Sequence, residues 1–305
     1  MKNMHRIILT IIYLLSLSAC SSMPQTVSLN VVNHTHCSSC AEWNAPRKPV
    51  LIHGNTYYVG TTGLSAILIT SPQGHVLIDG ALRESAPLIK ANIEQLGFYM
   101  KDIKYILNSH AHFDHAGGLA ELQRTSGAKV AASPSSAEVM KTGRPGPEDP
   151  QYSELLPYPI SPIRNIHVLS DGETIQLGPL TLTAHFTPGH TAGGTTWTWY
   201  SCENNRCLNM VYADSLTAVS EKAYRFSKSE RYPSVLADFD KTFRTVETLP
   251  CDILITPHPG ASRLFERINE NALIDSSACI RYTETARQRL AERLESEKLQ
   301  STFSQ

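Results

Sequence analysis

Four side chains able to ligate a metal crowd into six residues: His110, His112, Asp114 and His115, within Asn108-Ser-His-Ala-His-Phe-Asp-His-Ala-Gly-Gly118. An apolar, β-rich run, Ile103-Lys-Tyr-Ile-Leu107, precedes them, and Gly117 and Gly118 lead into a helical pattern from Leu119. The cluster is therefore expected on a strand-to-helix loop. On a regular strand such side chains would alternate between faces, whereas on a tight loop they can fan out toward more than one metal. His110 and His112, two apart, can share a side; Asp114 and His115 lie past the strand end and can aim at a second site. The competing reading is a polar surface loop that happens to hold histidines.

Further ligands should come from other strand ends. Thr187-Pro-Gly-His190 and Ile255-Thr-Pro-His258-Pro-Gly260 each deliver a histidine by a rigid turn after a strand. Alone, either could be an ordinary loop histidine; beside the cluster both are hard to dismiss as ligands. Ser126-Gly-Ala-Lys129 matches the Ser-x-x-Lys of serine hydrolases, but Gly127 puts it at a helix end, and no Gly-x-Ser-x-Gly elbow occurs. A serine nucleophile is not expected.

The elements that must carry these residues follow from periodicity. Strands are expected at Tyr57-Tyr-Val, Ala66–Thr70 and His75–Asp79, and a helix over Glu84–Leu96 with Leu88, Ile89, Ile93 and Leu96 on one face. After the cluster come a helix to about Thr125 and a strand at Lys129-Val-Ala-Ala. Strands then follow at 174–177, 180–186, 195–200, 209–213 and 252–256, with helices at about 237–249 and 276–298. Two packed β-sheets with helices on both outer faces fit this order. Between Thr142 and Arg164 stand six prolines and two glycines without a clear period, read as a lid over the site.

The chain has 305 residues, 41% hydrophobic and 18% charged, enough for a sizeable core. A net charge of -1 argues against nucleic acid as partner. Residues 1–20 read as a signal peptide: Lys2, His5 and Arg6 precede an apolar core from Ile7 to Ala19, too short for an ordinary span. Its end, Leu17-Ser-Ala-Cys20, resembles a bacterial lipobox, so Cys20 is the expected lipidation site; Ser21 after it suits outer-membrane sorting in the periplasm. Membrane contact is expected through that anchor alone. Residues 21–45 read as a flexible tether and 46–305 as the folded domain.

Export implies an oxidising compartment, and six cysteines remain after Cys20. Proximity pairs Cys202 with Cys207 across a turn and Cys251 with Cys279 between a strand and the last helix. Cys37 and Cys40 are left as a local disulfide, with zinc binding by His34, His36 and the two cysteines the alternative.

Taken together, His110-x-His112-x-Asp114-His115, Thr187-Pro-Gly-His190 and the late His258 resemble the metallo-β-lactamase superfamily, from about Asn55 to the terminal helix. The resemblance implies an α+β fold, an αββα sandwich of two mixed sheets, with two Zn2+ at one edge. His110, His112 and His190 would hold the first zinc; Asp114, His115 and His258 the second. The remaining histidines His53, His75, His167 and His185 match no motif.

Within the superfamily the chain is similar to subclass B3 β-lactamases in Asn55-Thr-Tyr-Tyr-Val-Gly60, the cluster itself, Tyr212-Ala-Asp-Ser-Leu216 and Pro257-His-Pro-Gly-Ala-Ser262. Ser215 stands where other subclasses place a zinc-binding Cys, and Ser215 and Thr217 would help hold the substrate carboxylate. Gln151 and Tyr152, on the long loop, are candidates for lining the substrate. Asp214 is discordant, because in glyoxalase II and lactonases an Asp at a comparable strand end bridges both metals.

The implied activity is hydrolysis of the β-lactam amide of penicillins, cephalosporins and carbapenems by metal-bound hydroxide, conferring antibiotic resistance, in a monomer. Asp114 would orient the water as well as bind metal. A lactone or thioester hydrolase of the same superfamily is the alternative.

Overall fold

Alternation along the strands sorts their side chains into three apolar layers. In the computed structural model, which describes residues 35–303, one sheet runs in the order β1 (Val50–His53), β2 (Thr56–Tyr58), β3 (Ile67–Ile69), β4 (His75–Ile78), β5 (Ile103–Leu107), β6 (Lys129–Ala132) and β7 (Ile166–Val168). The second has the order β12 (Ile253–Ile255), β11 (Arg206–Tyr212), β10 (Thr195–Glu203), β9 (Leu180–Phe186) and β8 (Thr174–Leu177). Both are mixed: antiparallel hairpins give way to parallel pairing from β4 to β7 and between β11 and β12.

Ile67, Ile69, Val76, Ile78, Trp197, Met210, Tyr212, Ile253 and Ile255 point between the sheets. Their neighbours Leu68, Leu77 and Ile106 point out of the first sheet, and Val211 and Leu254 out of the second, as a two-residue period requires. Helices then cover each outer face. On the first lie α1 (Cys40–Trp43), α2 (Ala86–Gln95), α3 (Phe113–Ala116), α4 (Leu119–Ser126) and α5 (Pro134–Thr142), through residues such as Ile89, Ile93, Leu119, Leu122 and Met140. After the short α6 (Tyr152–Leu155), α7 (Val235–Thr248) and α9 (Ala278–Phe303) cover the second face with Phe239, Phe243, Val246 and Leu290, while α8 (Leu264–Asn269) follows β12. The expected αββα sandwich is the observed fold. Among the described residues no helix is long and apolar enough to cross a membrane.

Several boundaries differ from expectation. Residues 1–20, Cys20, His34 and most of the tether lie outside the described residues. The tether does not extend to residue 45, because the chain is docked well before it: Thr35 N donates to Glu84 Oε1 at 3.0 Å, and Cys40 is buried in the first outer layer. Trp43 O accepts from Thr61 Oγ1 at 2.7 Å and from Gly63 N at 3.0 Å. The stretch read as a lid is an anchored strap. It contains α6, and its far half is tied down where Ile160 N donates to Gly143 O and Ile163 N to Met140 O, with both isoleucines buried.

The cysteines pair as Cys37–Cys40, Cys202–Cys207 and Cys251–Cys279. Cys202 and Cys207 are directly opposite in the β10–β11 register, and Cys251 ties the chain just before β12 to the first turn of α9. With Cys37 and Cys40 joined, the alternative of a zinc site on that pair has no thiolates to use.

Candidate metal centre

Four strand ends converge at one edge of the sandwich. The chain leaves β5 at Leu107 and crosses Asn108 to His112; α3 then begins, so Asp114 and His115 sit on a single helical turn and not on the expected loop. The Gly117-Gly118 pair that follows has a steric reason. A Cβ on Gly118 would stand 2.2 Å from Gly80 O, so only glycine lets this turn lie against the end of β4. His190 follows β9, Asp214 and Ser215 follow β11, and His258 follows β12.

Hydrogen bonds fix these ends to one another. Asp79, buried at the end of β4 with φ of 60°, accepts from Ser109 N at 2.8 Å, Ser109 Oγ at 2.6 Å, Asn108 Nδ2 at 3.1 Å and Tyr212 OH at 2.8 Å. One carboxylate thus pins the histidine loop to both sheets. Burial pushes the Asp79 carboxyl up, against the pull of His115 and of these donors.

Two triads result, His110/His112/His190 and Asp114/His115/His258, in each of which the potential ligand atoms lie within 4.8 Å of one another. The first is a compact triangle of rings, with centroids 4.7 Å (His110–His112), 4.9 Å (His110–His190) and 5.0 Å (His112–His190) apart. His115 adjoins it, 4.4 Å from the His110 ring, and His258 lies 4.8 Å beyond. In the second, Asp114 Oδ2 is 3.2 Å from Nε2 of both His115 and His258.

The outward nitrogens are already occupied. His110 Nδ1 meets Asp214 Oδ1 at 2.7 Å, His112 Nε2 meets Asp149 Oδ2 at 2.8 Å, and His190 Nδ1 meets Thr217 O at 2.8 Å. That leaves His110 Nε2, His112 Nδ1 and His190 Nε2 for the interior of the triangle, and His110 Nε2 is buried without any hydrogen-bond partner; so is His115 Nδ1. A buried nitrogen left unpaired costs roughly 1–3 kcal/mol, and a cation inside the triangle would satisfy His110 Nε2 together with the two other nitrogens turned toward it.

Protonation supports the same use. Burial pushes His190 down to about 3, with the neighbouring His112 adding to it, and burial holds His110 well below the usual imidazole range, with His115, His112 and His190 adding. Burial alone would raise Asp114, but His115 and His258 beside it hold the carboxyl well below the carboxylate range. Neutral imidazoles and an ionised carboxylate are the forms that bind metal. For His112 burial is overcome by Asp149, which raises it, and Asp149 is lowered in return. The N3 and ON2 donor sets of these triads suit zinc.

Comparison with known proteins agrees with this geometry. A sequence model of the Metallo-beta-lactamase superfamily matches residues 59–202. The Rm3 metallo-beta-lactamase is 54% identical, covering 87% of this chain and 100% of its own, with a TM-score of 0.84. The chain belongs to the metallo-β-lactamase superfamily. MEM-A1, a subclass B3 metallo-beta-lactamase isolated from a soil metagenome library, is 51% identical over 85% of this chain and 99% of its own (TM-score 0.83). SMB-1, solved with 2-mercaptoethanesulfonate bound, is 44% identical over 84% and 99% (TM-score 0.79). Among curated proteins, a hydroxyacylglutathione hydrolase of Maricaulis maris (strain MCS10) is 33% identical over 108 residues, 35% of this chain; the match spans 32% of that protein's length. Within the superfamily this chain is most similar to subclass B3.

Asp214 is turned to His110 Nδ1, which directs its carboxylate away from the bridging position weighed for it. Ser215 is buried beside it; Thr217, half-buried, gives its carbonyl to His190. Gln151 caps α6 and its backbone N–H donates to Asp149 Oδ1 at 2.8 Å; Tyr152 packs near Arg231. Neither lines the cleft between Phe113, Val139, Asp149 and Tyr158 that opens beside His112. Ser126 ends α4 with its hydroxyl on Leu122 O, so its match to a serine motif is accidental. His75, His167 and His185 hydrogen-bond elsewhere, with Ser71 N, Glu173 and Thr198, and His53 Nδ1 lies 3.9 Å from Glu203 Oε2.

Sequence reading missed Asp79 and Asp149. For Asp79 a signal existed in Ile78-Asp-Gly80, an acid closing an apolar strand. Asp149 carried none.

Proposed function

We propose that this chain hydrolyses the amide bond of β-lactams, among them penicillins, cephalosporins and carbapenems, using two zinc ions, and thereby confers resistance to them. The observation that carries the reading is the pair of adjoining triads: in the first the outward nitrogens of all three imidazoles are held while His110 Nε2, facing inward, is buried without a partner, and in the second Asp114 stands 3.2 Å from both His115 and His258. His110, His112 and His190 would hold one ion, and Asp114, His115 and His258 the other. When bound, such ions polarise a carbonyl and acidify water enough for attack at neutral pH.

The protein's own part is to orient and to exclude. Water adds to the lactam carbonyl carbon, the C–N bond breaks, and the ring nitrogen takes up a proton. Asp114, held ionised by His115 and His258, orients the attacking water. Ser215 and Thr217, on the segment after β11, receive the carboxylate next to the lactam nitrogen. No serine or cysteine nucleophile is needed, and the six other cysteines within the described residues are tied in disulfides.

The test is turnover of a panel by the purified chain: carbapenem hydrolysis abolished by a chelator and restored by Zn2+ supports it. No turnover of any β-lactam, with turnover of a lactone or thioester, would replace it by the alternative hydrolase reading. We further propose export and a lipid anchor at Cys20. Cys20→Ser should move the protein from the detergent-extracted membrane fraction to the soluble one, and an unchanged distribution would refute the anchor.

A further inference from the structure

The strap between Gly143 and Arg164 meets the metal centre at one atom pair, Asp149 Oδ2 and His112 Nε2, 2.8 Å apart, with both side chains more than nine-tenths buried. Asp149 is itself held rigidly. Its Oδ1 accepts from Gln151 N at 2.8 Å, its N–H donates to Gly146 O at 3.0 Å, and its carbonyl accepts from Tyr152 N at 3.1 Å.

The strap is latched in turn to the segment that follows β11. Glu221 accepts from Ser153 N at 2.7 Å and from Ser153 Oγ, pairs with Arg231 at 2.6 Å, and donates its own N–H to Pro150 O at 2.9 Å. That same segment carries Thr217, whose carbonyl accepts from His190. The outward nitrogens of two of the three imidazoles in the first triad are therefore set by two segments that Glu221 locks together.

We propose that Asp149 is a positioning residue of the first metal site: by accepting the Nε2 proton of His112 it fixes the tautomer and ring orientation that leave Nδ1 facing the cation, and the Glu221 latch holds Asp149 there. The proposal rests on the reading of His110, His112 and His190 as ligands. A neutral imidazole carries one proton, and without an acceptor at Nε2 that proton can sit on Nδ1 and block ligation, while the ring is free to turn. Groups that hold the far nitrogen of a ligating histidine are typically worth about 10- to 100-fold in metal affinity. Asp149 touches no reacting atom; it acts through His112.

The experiment is stepwise Zn2+ binding to the metal-stripped full chain, measured by competition with a chromophoric chelator, beside thermal melting of the metal-free protein. Asp149→Ala should weaken one of the two binding steps by about 10- to 100-fold and leave the other unchanged, while the loss of the acceptor for His112 and Gln151 lowers the metal-free melting temperature by a few degrees. Asp149→Asn, which keeps an acceptor oxygen in place, should recover most of that loss, and Glu221→Ala should weaken the same step as Asp149→Ala, to a smaller extent. Wild-type uptake of two Zn2+ with both steps unchanged in Asp149→Ala overturns this proposal alone. So does an equal loss at both steps, which makes Asp149 a general structural residue, and so does an Asn variant no better than Ala. Failure of the wild-type chain to take up Zn2+ overturns the ligand reading and this proposal with it.

Discussion

His190 illustrates how one side chain is fixed from three directions. A Pro-Gly turn after β9 delivers it, Thr217 O holds its Nδ1, and burial among His110 and His112 keeps it neutral. Removing it deletes a third of the first triad. His190→Ala should lose one equivalent of Zn2+ and lower kcat/KM on the order of 100-fold or more, since even partners of ligands cost 10–100-fold; metal analysis with steady-state kinetics reads both. Ser215→Ala should behave differently. Loss of one hydrogen bond to a charged group costs about 1.5–3 kcal/mol, so KM should rise by roughly ten- to a hundredfold with kcat and zinc content retained, the signature of lost uniform binding. A fall in kcat with unchanged KM would move Ser215 from substrate binding to the chemical step. At this scale the ligands themselves were legible, because four of six share one short stretch and the other two end strands with Pro-containing turns. Their supports were not. Asp79, Asp149 and Asp214 act on partners 30, 37 and 104 residues away, a separation across which local pattern carries no information.

Among elements, those with a clear period were read correctly: α2, α4 and α7 present apolar stripes, and the inner strands alternate or run continuously apolar. Short pieces escaped. The three-residue β7 has too little length for a period, and β1 reads Val-Leu-Ile-His without strict alternation. The helix α5 was overlooked although Ser133-Pro134 marks its start, with Ser133 Oγ accepting from Ser136 N at 3.4 Å. Composition misled at α1, where a Ser- and Cys-rich stretch looks like tether yet buries Cys40 and sets Trp43 5.1 Å from the His258 ring. Element pairing also predicts stability. Cys251 and Cys279 are 28 residues apart in sequence and tie the start of α9 to β12, so opening that loop frees more chain than opening the five-residue Cys202–Cys207 hairpin. In the chain-entropy account a loop of this size is worth about 3.5 kcal/mol. The Cys251→Ser/Cys279→Ser double variant should therefore melt about 7–14 °C lower, with a smaller drop for Cys202→Ser/Cys207→Ser; the reverse order by calorimetry would show that native contacts already make the longer closure redundant.

For the whole molecule, the centre that binds metal is a cost in its absence, and pH exposes that cost. The buried His190 titrates at about 3 in the fold and near 6.5 when unfolded, and burial lowers His110 in the same direction. Between those values the unfolded chain holds protons that the folded chain refuses, so stability falls as pH drops from about 6.5 toward 3. His112 works the other way: paired with Asp149, its raised value gives stability at low pH that is lost as pH rises through it. Asp79 and Asp214, raised by burial, act in the same direction as His112; against these three stand four histidines lowered by burial, His75 and His185 besides His110 and His190. Asp114, held low, contributes stability above the ordinary carboxylate range that is lost only in stronger acid, as pH falls through its depressed value. For His190 alone the loss by pH 5 is on the order of 2 kcal/mol. The chelator-treated chain should thus melt several degrees lower at pH 5 than at pH 7. With excess Zn2+ the drop should be steeper, because protons compete with the cation for the same nitrogens. A metal-free melting temperature that stays level or rises between pH 7 and pH 5 would mean that the His112–Asp149 pair and the raised carboxyls of Asp79 and Asp214 outweigh the buried neutral imidazoles.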